Sequence, residues 1–505
     1  MIRMRAARMR AGEGARTAGA ICVLTLFLVL TFLAGCATNP VTGQSELMLI
    51  TEEQEIQMGK ELYPNAMWGA EGGGGEYKDE RLKAYLGSVI TRIHRNSHRP
   101  NLPVSFAIQN SSVPNAWAIP GHVVITRGLL AGLQNEGEFA FVMGHEMGHV
   151  SARHSARQIT NTMLLQLGLG IAGVALSGQD YADSLIGLGA MGGSLLLLKY
   201  SRDDELEADR LGVQYMTKLG YDPNGAVTAH KTLQRVSADY VRSLGQEPQE
   251  RSWFEDLLST HPRTSVRVEE IEAIIRNTPR APIAGDGKNS AEFQNMTASV
   301  QVTNHVYTSY YDKAVRAYQK GNLKDANNLV SQAITADRNQ PPFYALAGFI
   351  YMKQKNYTEA ERYFTGALTV DPNYQPAQRG MGTIRYAQGN FNDAERYLKK
   401  SLSLFPQDAV SHFFLGMTFY RQQSYTAAIP HLSAFADAKP NHATIHGILG
   451  QCYENTGDKK AAYDQYLAQV KVAPNSDTGK RAADRVAVLK PLVEPPPTQQ
   501  KKEKK

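Results

Sequence analysis

Three cysteines in 505 residues give no material for a disulfide framework, so the fold has to rest on buried apolar surface. An excess of one charge is also missing. Lys and Arg total 54 against 48 Asp and Glu, a formal +6. Four of those six charges lie in Met1 to Gly35, where Arg3, Arg5, Arg8, Arg10 and Arg16 face only Glu13. The remaining chain carries about +2, which gives no reason to expect nucleic acid as a partner. No apolar run reaches the about 20 residues that a bilayer-spanning helix needs. Ile21 to Leu33 is too short, and so are Met163 to Leu176 and Leu185 to Leu198, which are separated by Gln179, Asp180 and Asp183. The rest, 42% hydrophobic and 20% charged, is an ordinary globular balance, and its length suits two to four domains.

The basic leader, the apolar run and then Leu33-Ala34-Gly35-Cys36 read as a secretory signal that ends in small residues. Cysteine directly after Leu-Ala-Gly resembles a bacterial lipobox, in which Cys36 becomes the acylated first residue of the mature protein. Cys22 then leaves with the signal, and Cys452 has no partner. Ala37, rather than aspartate, after Cys36 favours the outer membrane by the same resemblance. The expectation is a periplasmic chain tethered by lipid, in the inner leaflet of the outer membrane.

What is present is concentrated in Phe139 to Ser155, FAFVMGHEMGHVSARHS. An apolar run leads without a breaker into His145, Glu146 and His149, which reads as a buried helix carrying polar groups. At about 100° per residue His145 and His149 share a face one turn apart and suit a common metal ion, with Glu146 beside them. Two histidines in a buried helix also occur as hydrogen-bonded core residues. A hydrolytic zinc site has three protein ligands and an open fourth position. Ala152 and Ser155 stand where a metzincin needs glycine and histidine, so that class is excluded. Glu205-Leu206-Glu207-Ala208-Asp209 offers a carboxylate from a second helix, with Glu205 and Asp209 on one face and Glu207 on another. The same residues also fit a solvated acidic helix start.

Elsewhere, helices are predicted over Thr51 to Tyr63, Arg81 to Arg95, Tyr200 to Leu219, Pro223 to Leu244 and Thr264 to Arg276. Strands are predicted at Val104 to Gln109 and in Trp117 to Thr126, turned at Pro120-Gly121. The two apolar segments between Met163 and Leu198 suit a hairpin that lies over the cleft or on the membrane, or one that completes the core. Pro279 to Asn289 reads as a linker. Beyond it Gly321, Lys355, Gly389, Gln423 and Gly457 recur every 34 residues. Ala326, Ala360, Ala394, Ala428 and Ala462 keep step with them, as do Gly348, Gly382, Gly416 and Gly450, while Pro372, Pro406, Pro440 and Pro474 close the units. This is the tetratricopeptide pattern.

Four motifs in order, NAWAIPGHVVITRGLL (Asn115 to Leu130), GHEMGHVSARH (Gly144 to His154), ELEADRLG (Glu205 to Gly212) and STHP (Ser259 to Pro262), resemble bacterial zinc metalloproteases of the HtpX and CAAX-endopeptidase family. The resemblance implies one zinc per chain, with His145, His149 and Glu205 as ligands and Glu146 as general base. It assigns Asp209 as proton donor or as support behind a ligand. His261 is a candidate oxyanion stabiliser or fourth ligand, or a structural histidine. Val123, Val124, Ile125 and Thr126 are expected to form an edge strand that holds an extended substrate, or an ordinary sheet strand. His122, where relatives carry glycine, is expected to be an exposed strand end.

The fold expected is α+β and mostly helical, a zincin-type metalloprotease domain followed by an all-α tetratricopeptide superhelix. Its parts are a signal (1–35), the protease (36–280), a linker (281–305), about five repeats (306–480) and a disordered basic tail (481–505). The function expected is zinc-dependent cleavage of unfolded or misassembled envelope proteins recruited by the repeats. The outer-membrane β-barrel assembly machinery is a candidate partner. The rival is a periplasmic chaperone or adaptor with a structural metal.

Overall fold

The computed structural model describes residues 36–69, 74–164, 200–247, 266–279 and 281–494. The expected signal, the apolar stretch from 165 to 198, His261 and residues 495–505 lie outside these. The chain divides between Asn304 and His305 into two compact units.

The first unit opens with a small antiparallel hairpin, β1 (Cys36–Thr38) and β2 (Ser45–Leu47). Helices α1 (Glu52–Gly69) and α2 (Glu80–Arg95) come after it. Asp79 caps α2 by accepting the Leu82 N–H, which satisfies one of the donors that a helix start leaves over. A three-stranded sheet in the order β3 (Ser105–Gln109), β5 (His122–Thr126), β4 (Ala116–Ile119) is next. β3 runs parallel to β5, and β4 antiparallel to it through the turn at Gly121, whose φ of 86° suits glycine. The edge-strand expectation for Val123 to Thr126 is therefore corrected. β5 is the central strand and spends its ladder groups on both neighbours, and the outer strand beside the metal helix is β4. His122 is corrected as well. It is half-buried, stacked on Tyr63 at 4.1 Å between centroids, with Nδ1 2.6 Å from the Ser105 hydroxyl.

The metal helix α3 (Glu136–Ser151) is buried along its whole length. Against it pack α4 (Arg202–Lys218) and α5 (Asn224–Ser243); α6 (Val266–Asn277) packs on α4 and α5, and α7 (Ser290–Val306) sets Phe293 beside Phe139, around a core that also includes Met143, Leu211, Met216 and Ile271.

Of the stretch 281–305, expected as a linker, all but His305 is part of this unit. Asp286 accepts from the Lys288 and Asn289 N–H groups, and the Gly287 carbonyl accepts from Asp222 N–H. Lys288 O accepts the first amide of α3, from Glu136. Helix α7 then sinks Phe293 and Val300 into the core, both at 0% exposure. Proline and glycine here make a pinned turn.

The second unit repeats one device. Helix pairs Asp312–Gln319 with Leu323–Ala336, Pro341–Lys353 with Tyr357–Val370, Gln375–Ala387 with Phe391–Leu404, Ala409–Arg421 with Tyr425–Ala438 and Ile445–Asn455 with Lys459–Val472 pack in succession, followed by Asp477–Val493. The positions spaced by 34, Gly321, Lys355, Gly389, Gln423 and Gly457, all have positive φ between 60° and 88°. Each reverses the chain between paired helices. Asn322, Asn356, Asn390 and Asp458 then cap the next helix start. The in-step alanines are fully buried. The tail expectation is corrected up to Val493: Ala482 and Leu489 bury against Tyr463 and Tyr466, so that this part is a packed closing helix.

Candidate metal centre

Two small-residue steps bring the site together. Gly144 and Gly148 on α3 face Ala208 and Gly212 on α4. A Cβ built on Gly148 would stand 3.1 Å from Ala208 Cα, and one on Gly212 would stand 3.0 Å from the His145 nitrogen. Any larger residue would push the helices apart. At this spacing the turn carrying His145 and His149 meets the turn carrying Glu205 and Asp209. The start of α4 is fixed by a reciprocal cap between Ser201 and Asp204.

His145 Nε2 and His149 Nε2 are 3.1 Å apart. Glu205 reaches them with Oε2 at 3.7 Å and Oε1 at 3.4 Å respectively. Ligand atoms of a tetrahedral zinc at about 2.0–2.1 Å stand roughly 3.3 Å from one another, so the three side chains fit such an ion. All three are buried. Burial also holds the His149 imidazole well below its ordinary pKa despite the Glu205 carboxylate, which keeps it neutral as a ligand must be. Its ring lies flat against Tyr200, 3.9 Å between centroids.

Behind the ligands stand groups that hold them. The His145 Nδ1–H donates to Asp209 Oδ1 at 2.8 Å, which leaves Nε2 for the metal. Arg267 on α6 donates to both Asp209 oxygens, at 2.6 and 3.0 Å, and to Glu205 Oε2 at 2.7 Å. Burial alone would raise the Asp209 carboxyl. Arg267, with hydrogen bonds from His145 and His230, outweighs it and holds the group well below the usual carboxylate range. Asp209 thus lies behind His145, where the supporting one of its two expected roles would place it.

On the far side, His154 lies 2.8 Å from His149 Nδ1 and 3.1 Å from Glu207. Glu207 does point away from Glu205 and Asp209, as its helical position requires, but it returns to the site through His154.

Glu146 sits with His145 on the wall of a cleft completed by Asn115, Ala116, Leu129, Phe141, Leu233, His230 and Arg267. The cleft is mostly apolar, with Glu146 and His145 at one side, so it suits a side chain next to a bond undergoing hydrolysis. The structure thus brings together His145, Glu146, His149, Glu205 and Asp209, leaves Val123 to Thr126 in the middle of the sheet, and does not describe His261. Arg267, His230 and His154 are not singled out by the sequence. His154 stands at the end of the GHEMGHVSARH motif, five residues after His149, whereas nothing local marks Arg267 or His230.

Residues 80–275 match the model of peptidase family M48, and residues 341–374, 379–443 and 415–477 match tetratricopeptide repeat models. Among curated relatives, mitochondrial metalloendopeptidase OMA1 of Schizosaccharomyces pombe is 28% identical over 242 residues, which are 46% of this chain and 64% of that one. The β-barrel assembly-enhancing protease of Yersinia pestis is 25% identical over 316 residues, 58% of this chain and 62% of its own. Its Escherichia coli namesake is 28% identical over 260 residues, half of each chain. This chain therefore spans between half and two thirds of the length of these three relatives. Residues 80–275 are a peptidase family M48 domain, joined in one chain to tetratricopeptide repeats.

Proposed function

We propose that this chain is a zinc-dependent endopeptidase of the bacterial envelope that cuts misfolded or stalled proteins brought to it by its repeats. The observation that carries this reading is the convergence of His145, His149 and Glu205 beside Glu146 on a cleft wall. His145, His149 and Glu205 would hold a zinc ion, which would supply Lewis acidity toward water and the scissile carbonyl. Glu146 takes the proton of the attacking water and delivers it to the leaving amine. Asp209 and Arg267 keep His145 and Glu205 in place while charge develops. Outer strand β4 would receive an extended peptide on its unpaired side, since Ala116 at its start lines the cleft.

The relatives' names, a metalloendopeptidase and a β-barrel assembly-enhancing protease, support the reaction and the envelope setting. The repeats would recruit envelope clients and dock on the outer-membrane β-barrel assembly machinery. Fragment 36–304 is expected to fold, bind zinc and cut casein at close to the full chain's rate, while clearance of envelope clients in cells falls about 10²-fold or more as the tether is lost. Fragment 36–280 is expected not to fold. Without α7 it exposes the sites of Phe293 and Val300, and loss of one such phenylalanine alone costs about 3–5 kcal/mol of a total of about 5–15. Unchanged client clearance by 36–304 would remove recruitment from the array. Casein left intact by the zinc-loaded full chain would instead favour the adaptor reading.

Acylation of Cys36 would tether the enzyme. Cys36→Ser should abolish incorporation of labelled fatty acid, and equal labelling of the variant would reject the lipid anchor.

A further inference from the structure

Between Ser151 and the helical run 154–164 the chain makes a tight change of direction. Arg153 adopts φ 57°, a left-handed conformation that a non-glycine residue rarely takes. Its side chain is buried and tied down: Nε donates to Glu55 at 3.1 Å and Nη2 to the Ile50 carbonyl at 2.7 Å. Strain maintained in this way beside a site marks a geometry worth keeping. Here it places the next residue, His154, back against the turn before it.

His154 is 1% exposed. Its Nε2 meets Glu207 Oε2 at 3.1 Å and Asp204 Oδ1 at 3.5 Å, and ionised carboxylates only accept, so Nε2 carries the hydrogen. In a neutral ring Nδ1 is then bare. His149 Nδ1 stands 2.8 Å from it, so the shared hydrogen belongs to His149, and His149 Nε2 is left as a lone pair turned toward His145 Nε2 and Glu205. The acidic end is fixed in turn, since Arg157 donates to Asp204 at 3.0 Å and to Glu46 at 3.2 Å.

We infer that His154 is a positioning residue for the metal: with Glu207 it fixes the tautomer and aim of His149, as Asp209 does directly for His145. The inference rests on the zinc reading of the site. The two ligand histidines are thus held in unlike ways, one by a carboxylate and the other by a carboxylate acting through a second imidazole. His154 touches neither the cleft wall nor the proposed ion.

Zinc affinity measured by chelator competition on the full chain, with circular dichroism as the check on folding, tests this. In His154→Asn an amide oxygen can stand where Nδ1 stood and accept the same hydrogen, so affinity should stay within about threefold of the parent. In His154→Leu the acceptor is gone, and affinity should fall about 10- to 100-fold with the fold intact. Parent-like affinity in a folded His154→Leu variant, or equal losses in both variants, would overturn the inference, because a packing role does not distinguish asparagine from leucine in this direction. Should His154→Leu fail to fold, ring-nitrogen NMR of the zinc-loaded parent decides: His149 protonated at Nδ1 and coordinating through Nε2 supports the assignment, and the opposite tautomer refutes it. No zinc bound by the parent would sink the zinc reading itself, an outcome distinct from any of these.

Discussion

Glu146→Gln should keep its zinc and lose about 10²- to 10⁴-fold in kcat on casein, the usual worth of a positioned general base. The substitution changes one oxygen to an amide on a side chain that ligates nothing, at a position 3% exposed between two ligand turns. The amide keeps the volume and a hydrogen-bonding group on the cleft wall, so the helix has no reason to move. What it cannot do is hold a proton in transit. Metal analysis and cleavage measured on the same sample separate the two properties. Zinc-loaded Glu146→Gln that cuts casein at the parental rate would exclude Glu146 as the base.

Glu205→Ala should lose the ion itself. A structural zinc site of four ligands is worth about 10–16 kcal/mol, so one ligand is worth roughly 3–4 kcal/mol, or two to three decades of affinity. The local charge sharpens the effect. Arg267 donates to Glu205 at 2.7 Å, and without that carboxylate the guanidinium stays beside the site with one fewer negative charge to balance it. A divalent cation would then face two imidazoles and a neighbouring positive charge. Dialysis against a weak chelator should strip zinc from Glu205→Ala while the parent keeps one per chain. Stoichiometric zinc in the dialysed variant would mean that another residue is the third ligand.

The features legible in the sequence are those whose geometry is local or periodic. His145, Glu146 and His149 follow from one helix and its 3.6-residue turn, and the repeat array from a 34-residue period whose turn positions all take the left-handed backbone that glycine at three of them suggests. Lys355 and Gln423 occupy that conformation without being glycine, which only the period could foretell. Features that depend on how elements meet are hidden. The alternation in Val123 to Thr126 marks a strand, but whether a strand is central or outer depends on partners such as β3, which is not joined to it by a hairpin. Arg267 lies about 60 residues from the carboxylates it pairs with, and an isolated arginine on an amphipathic helix reads as solvated. Pro279 to Asn289 reads by composition as free chain, because the partners of its backbone, Gly220, Asp222 and Glu136, lie in other elements. The buried pair Phe293 and Val300, on one helical face and seven residues apart, is the signal that could have corrected it.

The β1–β2 hairpin bears on how far the M48 domain could move from a lipid on Cys36. Cys36 is already the first residue of a paired strand. Ala37 packs with Met163 on the cluster formed by Met48, Ile50, Ala156 and Ile159, and Asn39 is hydrogen-bonded to Glu46 at 2.8 Å. An acyl chain on Cys36 would therefore have no leash. A flexible spacer of about 20 residues would let a catalytic unit wander roughly 25 Å from its lipid. An acylated Cys36 would carry the folded unit with it, so that motion along the bilayer would be motion of the whole unit. Its search for substrate would run in two dimensions.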